Sequence, residues 1–395
     1  MITGWGAAQA PATLTGMSEL PPTAWLVDPD IAYLNHGGFG ALPRPVADAA
    51  AAIRAEIEAN PTDMLMRRWQ PQVDAVRARV AAFLRTDAAN LVFVGNATAG
   101  TATVLASLDW QPGDEVVSTD HRYPAVASQL GVLLRSGVKV VEQHVPVDVT
   151  SAAQVVDLVM AGVTARTKLV VVDHIASPTG FVFPVAEVAA AARERGLPVL
   201  VDAAHAPGQV DVDVDALGVD FWVGNLHKWV CSPRGCAGLV VAPRWQDVVR
   251  PRVASHGYAS GYHEAFDWTG TADAVPLLAV PAALDFWDGL GWDAVRAYQR
   301  DVVTAGAHAV ADAIGTEVAI ADEFTAAIRI VRLPVVLGTD AEREKVAYGL
   351  IADHGVTAHI TEHAGTTYVR MCGQLYNTPE HYDRLAAALP KVLDA

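Results

Sequence analysis

Up to roughly residue 275, short apolar runs alternate along the chain with Ala-rich amphipathic stretches. The apolar runs predict six buried strands: Leu91–Val94, Glu115–Ser118, Leu169–Asp173, Val199–Asp202, Phe221–Gly224 and Ala237–Val241. The stretches between them predict helices over Gln72–Leu84, Thr98–Leu108, Ala152–Ala161 and Val185–Arg195. Strands that alternate with helices predict an α/β fold, with a mostly parallel central sheet and helices on both faces.

The pattern changes in the last third of the chain, where long helices flank a few strands. Helices are predicted over Pro276–Leu290, Trp292–Ile314, Asp340–His354 and Pro379–Leu393, and strands over Ile328–Pro334 and Tyr368–Met371. A chain of 395 residues is too long for one core. We therefore expect an N-terminal arm (1–30), a large domain (31–275) whose first residues contribute to the smaller lobe, and a small α+β domain (276–395).

Composition narrows the classes of protein. The net charge of −16 argues against a nucleic-acid partner, because phosphate binding needs a basic surface. The first residues have neither the basic start nor the apolar run of a signal peptide or a membrane span, so we expect no membrane association. Three cysteines without metal-site spacing fit a reducing, cytoplasmic environment and no metal.

Polar residues follow several predicted strands at their carboxyl ends, where sheets of this kind bind ligands. Asp202 ends a buried strand, and a buried carboxylate needs a cationic partner. The protonated ring nitrogen of pyridoxal phosphate (PLP) is one such partner, and its protonation makes the ring an electron sink. A helix cap or an ion pair with arginine is the alternative interpretation of Asp202.

Lys228 is the second candidate. The chain has only five lysines against 23 arginines, and this one lies beside Trp229 after an apolar run. A short loop at a strand end can aim the amine at a ring held by Asp202, and burial favours the neutral, nucleophilic amine that Schiff-base formation requires. A surface lysine is the alternative.

Weaker signals lie at other turns. The segment from Asn96 to Thr98 joins a strand to a helix and can form an anion site from backbone N–H groups and a hydroxyl, although a plain capped turn has the same pattern. His121 and Tyr123 follow a strand and can stack on a planar cofactor. Arg370, on an apolar strand, is suited to a two-pronged grip on a carboxylate or to a structural ion pair.

Taken together, these segments resemble class V aminotransferase-like enzymes, the PLP fold type I group that includes cysteine desulfurases, and within it the isopenicillin N epimerase subgroup. The resemblance covers residues 31–280 and 365–378. Its motifs begin at Tyr33 (YLNHGGFG), Pro61 (PTDMLMRR), Gly95 (GNATA), Asp120 (DHRY), His174 (HIASPTG), Val201 (VDAAHAPG), Gly224 (GNLHKW) and Leu375 (LYNT).

The resemblance implies a role for each matching residue. Lys228 holds PLP as a Schiff base, and Asp202 pairs with its ring nitrogen. Contacts to the phosphate come from Asn96, Ala97, Thr98, Asn225 and His227, and from Thr271 of a neighbouring protomer in a homodimer. The ring oxygen lies near His205 and Ser177, and either His121 or Tyr123 stacks on the ring. Arg370, with Asn35, His36 and Gly37, binds the substrate carboxylate.

The chain departs from cysteine desulfurases in one respect. Those enzymes carry a nucleophilic cysteine on a loop before the carboxylate arginine, and Asp353–Ala364 contains none. Persulfide chemistry is therefore disfavoured, and Cys372, on the strand after Arg370, is expected to be a small buried apolar side chain.

The expected reaction begins with removal of the Cα proton of an amino acid, with Lys228 as the base. Return of a proton from the opposite face, supplied by His121 or Tyr123, gives an epimerase or racemase. The resemblance favours this outcome and implies a role in secondary metabolism. Loss of a β-substituent gives a C–S β-lyase, and proton return to the cofactor gives an aminotransferase.

A non-catalytic PLP-fold binding protein is a remote alternative, and a nicotinamide enzyme is excluded because no Gly-x-Gly-x-x-Gly follows a strand. The substrate side chain cannot be predicted from these residues.

Overall fold

The structure, a computed structural model, describes residues 24–394. In chain order, its strands are β1 Ala32–Tyr33, β2 Leu91–Val94, β3 Glu115–Thr119, β4 Lys139–Gln143, β5 Thr167–Asp173, β6 Val199–Asp202, β7 Phe221–Asn225, β8 Ala237–Val241, β9 Ile328–Arg332, β10 Val356–Thr357, β11 His359–His363 and β12 Thr366–Cys372. Its α-helices are α1 His36–Phe39, α2 Arg44–Ala59, α3 Trp69–Leu84, α4 Ala97–Ser107, α5 Pro124–Leu133, α6 Ala152–Met160, α7 Val185–Glu194, α8 Val214–Leu217, α9 Tyr262–Asp267, α10 Val275–Leu278, α11 Val280–Leu290, α12 Trp292–Ile314, α13 Asp340–His354 and α14 Pro379–Leu393. A π-helical turn covers Asp63–Arg67.

The chain divides into two units by its internal packing. The larger unit comprises residues 45–177 and 181–286, and the smaller comprises residues 24–44, 178–180 and 287–394. The domain limits expected from the sequence, at residues 30 and 275, stay a prediction. In the described part of the chain, no helix combines the length and the apolar character that crossing a membrane requires.

A seven-stranded sheet forms the larger unit, in the order β2-β8-β7-β6-β5-β3-β4. Strand β8 runs antiparallel to both of its neighbours, and the other pairings are parallel. Every residue of β6, β7 and β8 is buried, which explains why their sequences are continuous apolar runs rather than alternating ones. The expected α/β fold with a mostly parallel sheet is confirmed.

The core of this unit joins the sheet to the helices on it. Leu200 and Phe221 of the central strands belong to one buried cluster with Val104 of α4. Helix α4 lies close on β7, because a Cβ atom on Gly100 would come within 2.5 Å of Cγ2 of Val223. This contact places the N-terminus of α4 beside the last residues of β7.

The smaller unit has its own sheets and core. Strands β11, β12 and β9 form an antiparallel sheet in that order, and β1 pairs with β10 in parallel. The long helices α12 and α14 cover the sheet and supply Val310 and Leu385 to a cluster that also contains Val331 and Val369. Arg370 lies in the middle of β12, opposite His359 of β11.

Candidate active site

Two acidic residues end neighbouring strands at one edge of the large sheet. Asp173 is the last residue of β5, Asp202 is the last residue of β6, and the two are paired in register. Their exposed fractions are 3% and 5%. The Asp202 carboxylate accepts a hydrogen bond from the backbone N–H of Ala204 at 3.0 Å. Both carboxyl groups are therefore largely removed from water, which disfavours their charged forms.

The surroundings shift the pKa values of the two carboxyl groups to different extents. Burial raises the pKa of Asp173 well above its ordinary value, the neighbouring Asp202 raises it further, and Arg122 opposes the shift only in part. Burial also raises the pKa of Asp202, but the Ala204 N–H and the Lys228 amine oppose that shift. The surroundings therefore favour the protonated form more strongly at Asp173 than at Asp202. Sequence reasoning noted the strand-end position of Asp173 but gave it no role, because its pairing with Asp202 is a property of the sheet.

Lys228 lies in a tight loop that follows β7. Its Nζ is 3.1 Å from Nε2 of His205, and Nδ1 of the same imidazole accepts the indole N–H of Trp229 at 3.3 Å. The loop closes on itself through the Cys231 N–H, which donates to the Lys228 carbonyl at 3.2 Å. Cys231 has a φ of 61°, a left-handed conformation that a non-glycine residue adopts at a cost. The structure thus brings Lys228, His205 and Asp202 into one cluster.

Gly208, at the end of the loop after β6, lies directly against the Lys228 loop. Its φ is +88°, and a Cβ atom would lie 2.8 Å from the carbonyl carbon of Trp229. We expect Gly208→Ala to lower the free energy of unfolding by about 1–3 kcal/mol more than Gly196→Ala, because overpacking adds to the strain of positive φ. Gly196 is the matched control, since its φ is +70° but no atom lies near its Cβ position. Urea unfolding of both variants measures the difference, and equal losses would contradict the close contact.

The N-terminus of α4 is the candidate phosphate site. Asn96 caps the helix, with its side chain accepting the Ala99 N–H at 2.8 Å, and the Asn225 side chain accepts the Ala97 N–H at 2.8 Å. The resemblance assigns that Ala97 N–H to phosphate, whereas here it donates to Asn225. Within residues 24–394, neither the N–H nor the hydroxyl of Thr98 has a hydrogen-bond partner. A helix N-terminus with an available amide and hydroxyl fits an anion.

His227 precedes Lys228, and one nitrogen of its ring is held by a backbone carbonyl. Its Nδ1 lies 3.0 Å from the Cys236 carbonyl, which only accepts, so Nδ1 carries the proton and Nε2 does not. Burial lowers the pKa of His227 to about 4; the hydrogen bond to Cys236 opposes the shift, and a positive charge on Lys228 or Arg234 adds to it. The imidazole is therefore neutral at neutral pH and presents a bare nitrogen.

The two candidate stacking residues differ in their surroundings. His121 is fully buried, with Nε2 donating to the Val145 carbonyl at 2.7 Å and with ring centroids 5.4 Å from both Phe181 and Phe183. Tyr123 directly precedes α5 and is 41% exposed. The His121 ring is thus enclosed by protein, while the Tyr123 ring is available to a ligand.

The remaining predicted cofactor residues are loop residues of the larger unit. Ser177 is half-buried after β5, and Thr271 is exposed between α9 and α10. The exposure of Thr271 leaves its hydroxyl accessible to another molecule.

The predicted carboxylate site lies in the smaller unit. Arg370 is buried and donates through Nη2 to the Asn35 side chain at 2.8 Å. His36 is fully buried. The Gln374 side-chain amide donates to Nε2 of His36 at 3.1 Å, so the proton of a neutral imidazole lies on Nδ1. This Nδ1–H donates to the Tyr376 hydroxyl at 2.9 Å. The structure therefore brings Asn35 to Arg370 and locks His36 in the fold behind them.

The three cysteines are buried, and none of them forms a disulfide within the described residues. Burial raises the pKa of Cys231 well above its ordinary value and raises that of Cys236 to about 12. Cys372 is fully buried on β12, and its sulfur accepts the Gly37 N–H at 3.3 Å. It is therefore more than the plain apolar side chain expected, because it anchors the segment that carries Asn35. A thiol with a raised pKa forms little of the nucleophilic thiolate at neutral pH, so Cys231 and Cys236 are poor nucleophiles.

A buried strand-end carboxylate, a half-buried amine in the loop after the next strand and a helix N-terminus with an available Thr98 amide and hydroxyl fit the ring nitrogen, the aldehyde and the phosphate of PLP, respectively. The protein is a PLP-dependent enzyme of fold type I. The chain belongs to the class V aminotransferase family, whose family model (Aminotransferase class-V) matches residues 32–359.

Several curated relatives resemble almost the whole chain. The isopenicillin N epimerase of Streptomyces clavuligerus is 31% identical over 383 residues, which cover 92% of this chain and 95% of that protein. The isopenicillin N epimerase of Amycolatopsis lactamdurans is 32% identical, covering 94% and 99%. The putative L-cysteine desulfhydrase 1 of Oryza sativa subsp. japonica is also 32% identical, covering 92% and 83%. Relatives with two different reactions are therefore about equally similar to this chain.

Solved structures share the fold at lower identity. The cystine C-S lyase C-DES, solved with its reaction product cysteine persulfide, superimposes with a TM-score of 0.75 at 23% identity, covering 91% of this chain and 97% of that one. The cysteine desulfurase CsdA of Escherichia coli superimposes with a TM-score of 0.77 at 20% identity, covering 94% and 97%. These likenesses support the fold alone.

Proposed function

We propose that this enzyme removes the Cα proton of an α-amino acid, with Lys228 both as the Schiff-base lysine and as the base. The observation that carries the proposal is the position of Lys228 in the loop after β7, with its Nζ 3.1 Å from Nε2 of His205, while Asp202 ends the neighbouring buried strand β6 and has its pKa rise opposed by Lys228. When bound, PLP withdraws electrons from Cα. Asp202, whose pKa rise is opposed by the Ala204 N–H and by Lys228, is better suited than Asp173 to hold the positive ring nitrogen that this withdrawal requires.

The other residues take supporting roles in this proposal. Thr98 binds phosphate through its amide and hydroxyl, with Asn96 and Asn225 fixing the helix end and His227 offering its bare nitrogen. His205 and Ser177 contact the ring oxygen. Tyr123 stacks on the ring, since the His121 ring is enclosed by Phe181 and Phe183.

Arg370 binds the substrate carboxylate, and Asn35 holds the guanidinium in position through the 2.8 Å hydrogen bond. His36 and Gly37 support that segment from within the fold rather than touching the substrate, because His36 is fully buried and Gly37 donates to Cys372. We further propose a homodimer in which Thr271, which is exposed, reaches the phosphate of the neighbouring protomer.

Amino-acid epimerisation or racemisation is the first candidate for the complete reaction. It needs an acid on the face of Cα opposite Lys228, and Tyr123 carries a hydroxyl and is 41% exposed. The similarity to two isopenicillin N epimerases supports this candidate.

C–S β-elimination from cysteine or a cysteine conjugate is the second candidate. It uses the same base but needs no nucleophilic thiol from the enzyme, which agrees with the buried Cys231 and Cys236. The similarity to a putative L-cysteine desulfhydrase supports it. Transamination needs only the same core residues and is the third outcome to test.

Incubation in deuterated water tests the proposal and separates its outcomes. The PLP-loaded enzyme is given isopenicillin N or L-cysteine, and the products are analysed by NMR and mass spectrometry. We expect deuterium at Cα, with inversion of configuration for an epimerase, or pyruvate and sulfide from L-cysteine for a lyase. A keto acid that retains its β-substituent, with the amine form of the cofactor, marks transamination. Absence of Cα deuterium and of any product with both substrates would contradict proton removal by Lys228.

A further inference from the structure

Two buried tryptophan–histidine pairs lie beside the strand ends of the large sheet. Trp222 of β7 donates its indole N–H to Nδ1 of His174 at 3.4 Å. Trp229, next to Lys228, donates its indole N–H to Nδ1 of His205 at 3.3 Å. Both tryptophan side chains are fully buried. The two pairs have the same chemistry, but only the second contacts the lysine.

The indole bond determines which nitrogen of His205 carries a proton. An indole N–H can only donate, so the Nδ1 that receives it has no proton of its own. A neutral imidazole then carries its proton on Nε2. Nε2 is the atom 3.1 Å from Nζ of Lys228, so the ring directs an N–H at the amine nitrogen.

A ring N–H that points at an amine favours one protonation state of that amine. An ammonium group has three donors and no acceptor, whereas a neutral amine has a lone pair that accepts. The neutral form is also the one that condenses with an aldehyde: the nitrogen gains a C=N bond, and its two protons leave with the carbonyl oxygen as water. The chain Trp229–His205–Lys228 therefore selects the reactive form.

We infer that Trp229 is a positioning residue, which fixes the tautomer of His205 and through it holds Lys228 as a neutral amine. The inference rests on the proposed function, in which Lys228 forms the Schiff base. It assigns a task to a tryptophan whose burial alone suggests only a core residue.

Other groups around Lys228 act on the same equilibrium. The Asp202 carboxylate favours the ammonium form by charge, and a charge on Lys228 in turn opposes the rise that burial causes in the pKa of Asp202. His227 is neutral at neutral pH and adds no charge there, and the Cys231 thiol, with its raised pKa, donates to the Lys228 carbonyl at 3.4 Å. Among these groups, the His205 imidazole opposes Asp202, and its proton must lie on Nε2 to do so.

Nitrogen NMR on histidine-labelled, PLP-loaded enzyme measures the tautomer directly. The chain has 13 histidines, and the His205 signals are assigned by their loss in His205→Gln. We expect a bare Nδ1 and a protonated Nε2 in the wild type at neutral pH. A protonated Nδ1, or an imidazolium, would overturn the inference without any variant having to fold.

Trp229→Phe removes the indole N–H, and Trp222→Phe is the matched control, because it removes an equally buried indole from His174 instead. We expect Trp229→Phe to shift His205 towards the other tautomer and to slow PLP incorporation into the cofactor-depleted full chain by about 3- to 10-fold at neutral pH, the size of one hydrogen bond. The rate should recover at higher pH, so the midpoint of the pH profile moves up. Trp222→Phe should leave the His205 signals and this midpoint in place.

His205→Gln supplies a rescue test, since a glutamine side chain can accept from Trp229 with its oxygen and donate to Lys228 with its nitrogen. We expect its pH midpoint to stay near the wild-type value, whereas His205→Leu should move it up. A Trp229→Phe enzyme that is slower by the same factor at every pH would show a merely structural role and overturn the inference. Borohydride trapping of PLP on a lysine other than Lys228 would instead overturn the proposed function, whatever the tautomer of His205.

Discussion

Lys228→Ala is expected to abolish covalent attachment of PLP and to slow exchange of the substrate Cα proton by about 10³-fold or more, the usual range for removal of an acid–base group. The variant should still bind PLP without a covalent bond, because Asp202 and the N-terminus of α4 are unchanged. Borohydride reduction followed by peptide mapping measures attachment, and loss of deuterium from a Cα-labelled substrate measures exchange.

Lys139→Ala is the matched control for this variant, since Lys139 is exposed on the edge strand β4. It should retain both attachment and exchange at the wild-type level. A Lys228→Ala enzyme that still yields a reduced adduct, or that exchanges the Cα proton at the wild-type rate, would remove Lys228 from the reaction and leave the buried cluster without its function.

The elements best predicted from sequence were those whose burial is uniform or whose ends are marked. Strands β2, β6 and β8 begin and end at the predicted residues, because each is a short apolar run between turns. Helix α13 begins after Thr339, which forms a capping box with Glu342, and ends before Gly355. Local chemistry determines such ends.

Two of the differences from the prediction depend on position in the sheet or on proline. Strand β4 was not predicted because it lies at the edge of the sheet, where its five residues are exposed or only half-buried and include charged ones. The stretch predicted as one helix over Pro276–Leu290 is two helices, α10 and α11. Pro281 lacks an N–H for the turn before it, so the second helix begins at Val280 with the proline in its first turn.

In the candidate site, sequence could predict which residues end the strands but not which atoms meet. Asp202 and Lys228 were recognisable because each is an unusual residue type for its apolar surroundings. The hydrogen bond from the Ala97 N–H to Asn225 joins residues 128 positions apart, and the pairing of Asp173 with Asp202 depends on strand register. Such contacts come from the arrangement of the sheet, which sequence patterns along one strand do not contain.

Asp202→Asn is expected to slow Cα proton exchange by about 10²- to 10³-fold, the usual cost of removing one preorganised electrostatic group. The amide keeps an oxygen for the Ala204 N–H, so the loop should stay in place, but it carries no negative charge for a positive ring nitrogen. Lys228 remains, and the Schiff-base absorbance should therefore persist. Loss of exchange with retention of the covalent cofactor is the result that separates this role from that of Lys228.

Asp173→Asn is the matched control, because it changes the neighbouring carboxyl group on β5 in the same way. Burial and Asp202 raise the pKa of Asp173 well above its ordinary value, which favours the uncharged form, and asparagine has the shape of that form. Exchange should then stay within about threefold of the wild type, since asparagine keeps the form that burial favours. Equal losses of exchange rate in the two variants would mean that Asp173 and Asp202 share one negative charge. Wild-type exchange in Asp202→Asn would mean that the Asp202 carboxylate does not act on the cofactor ring.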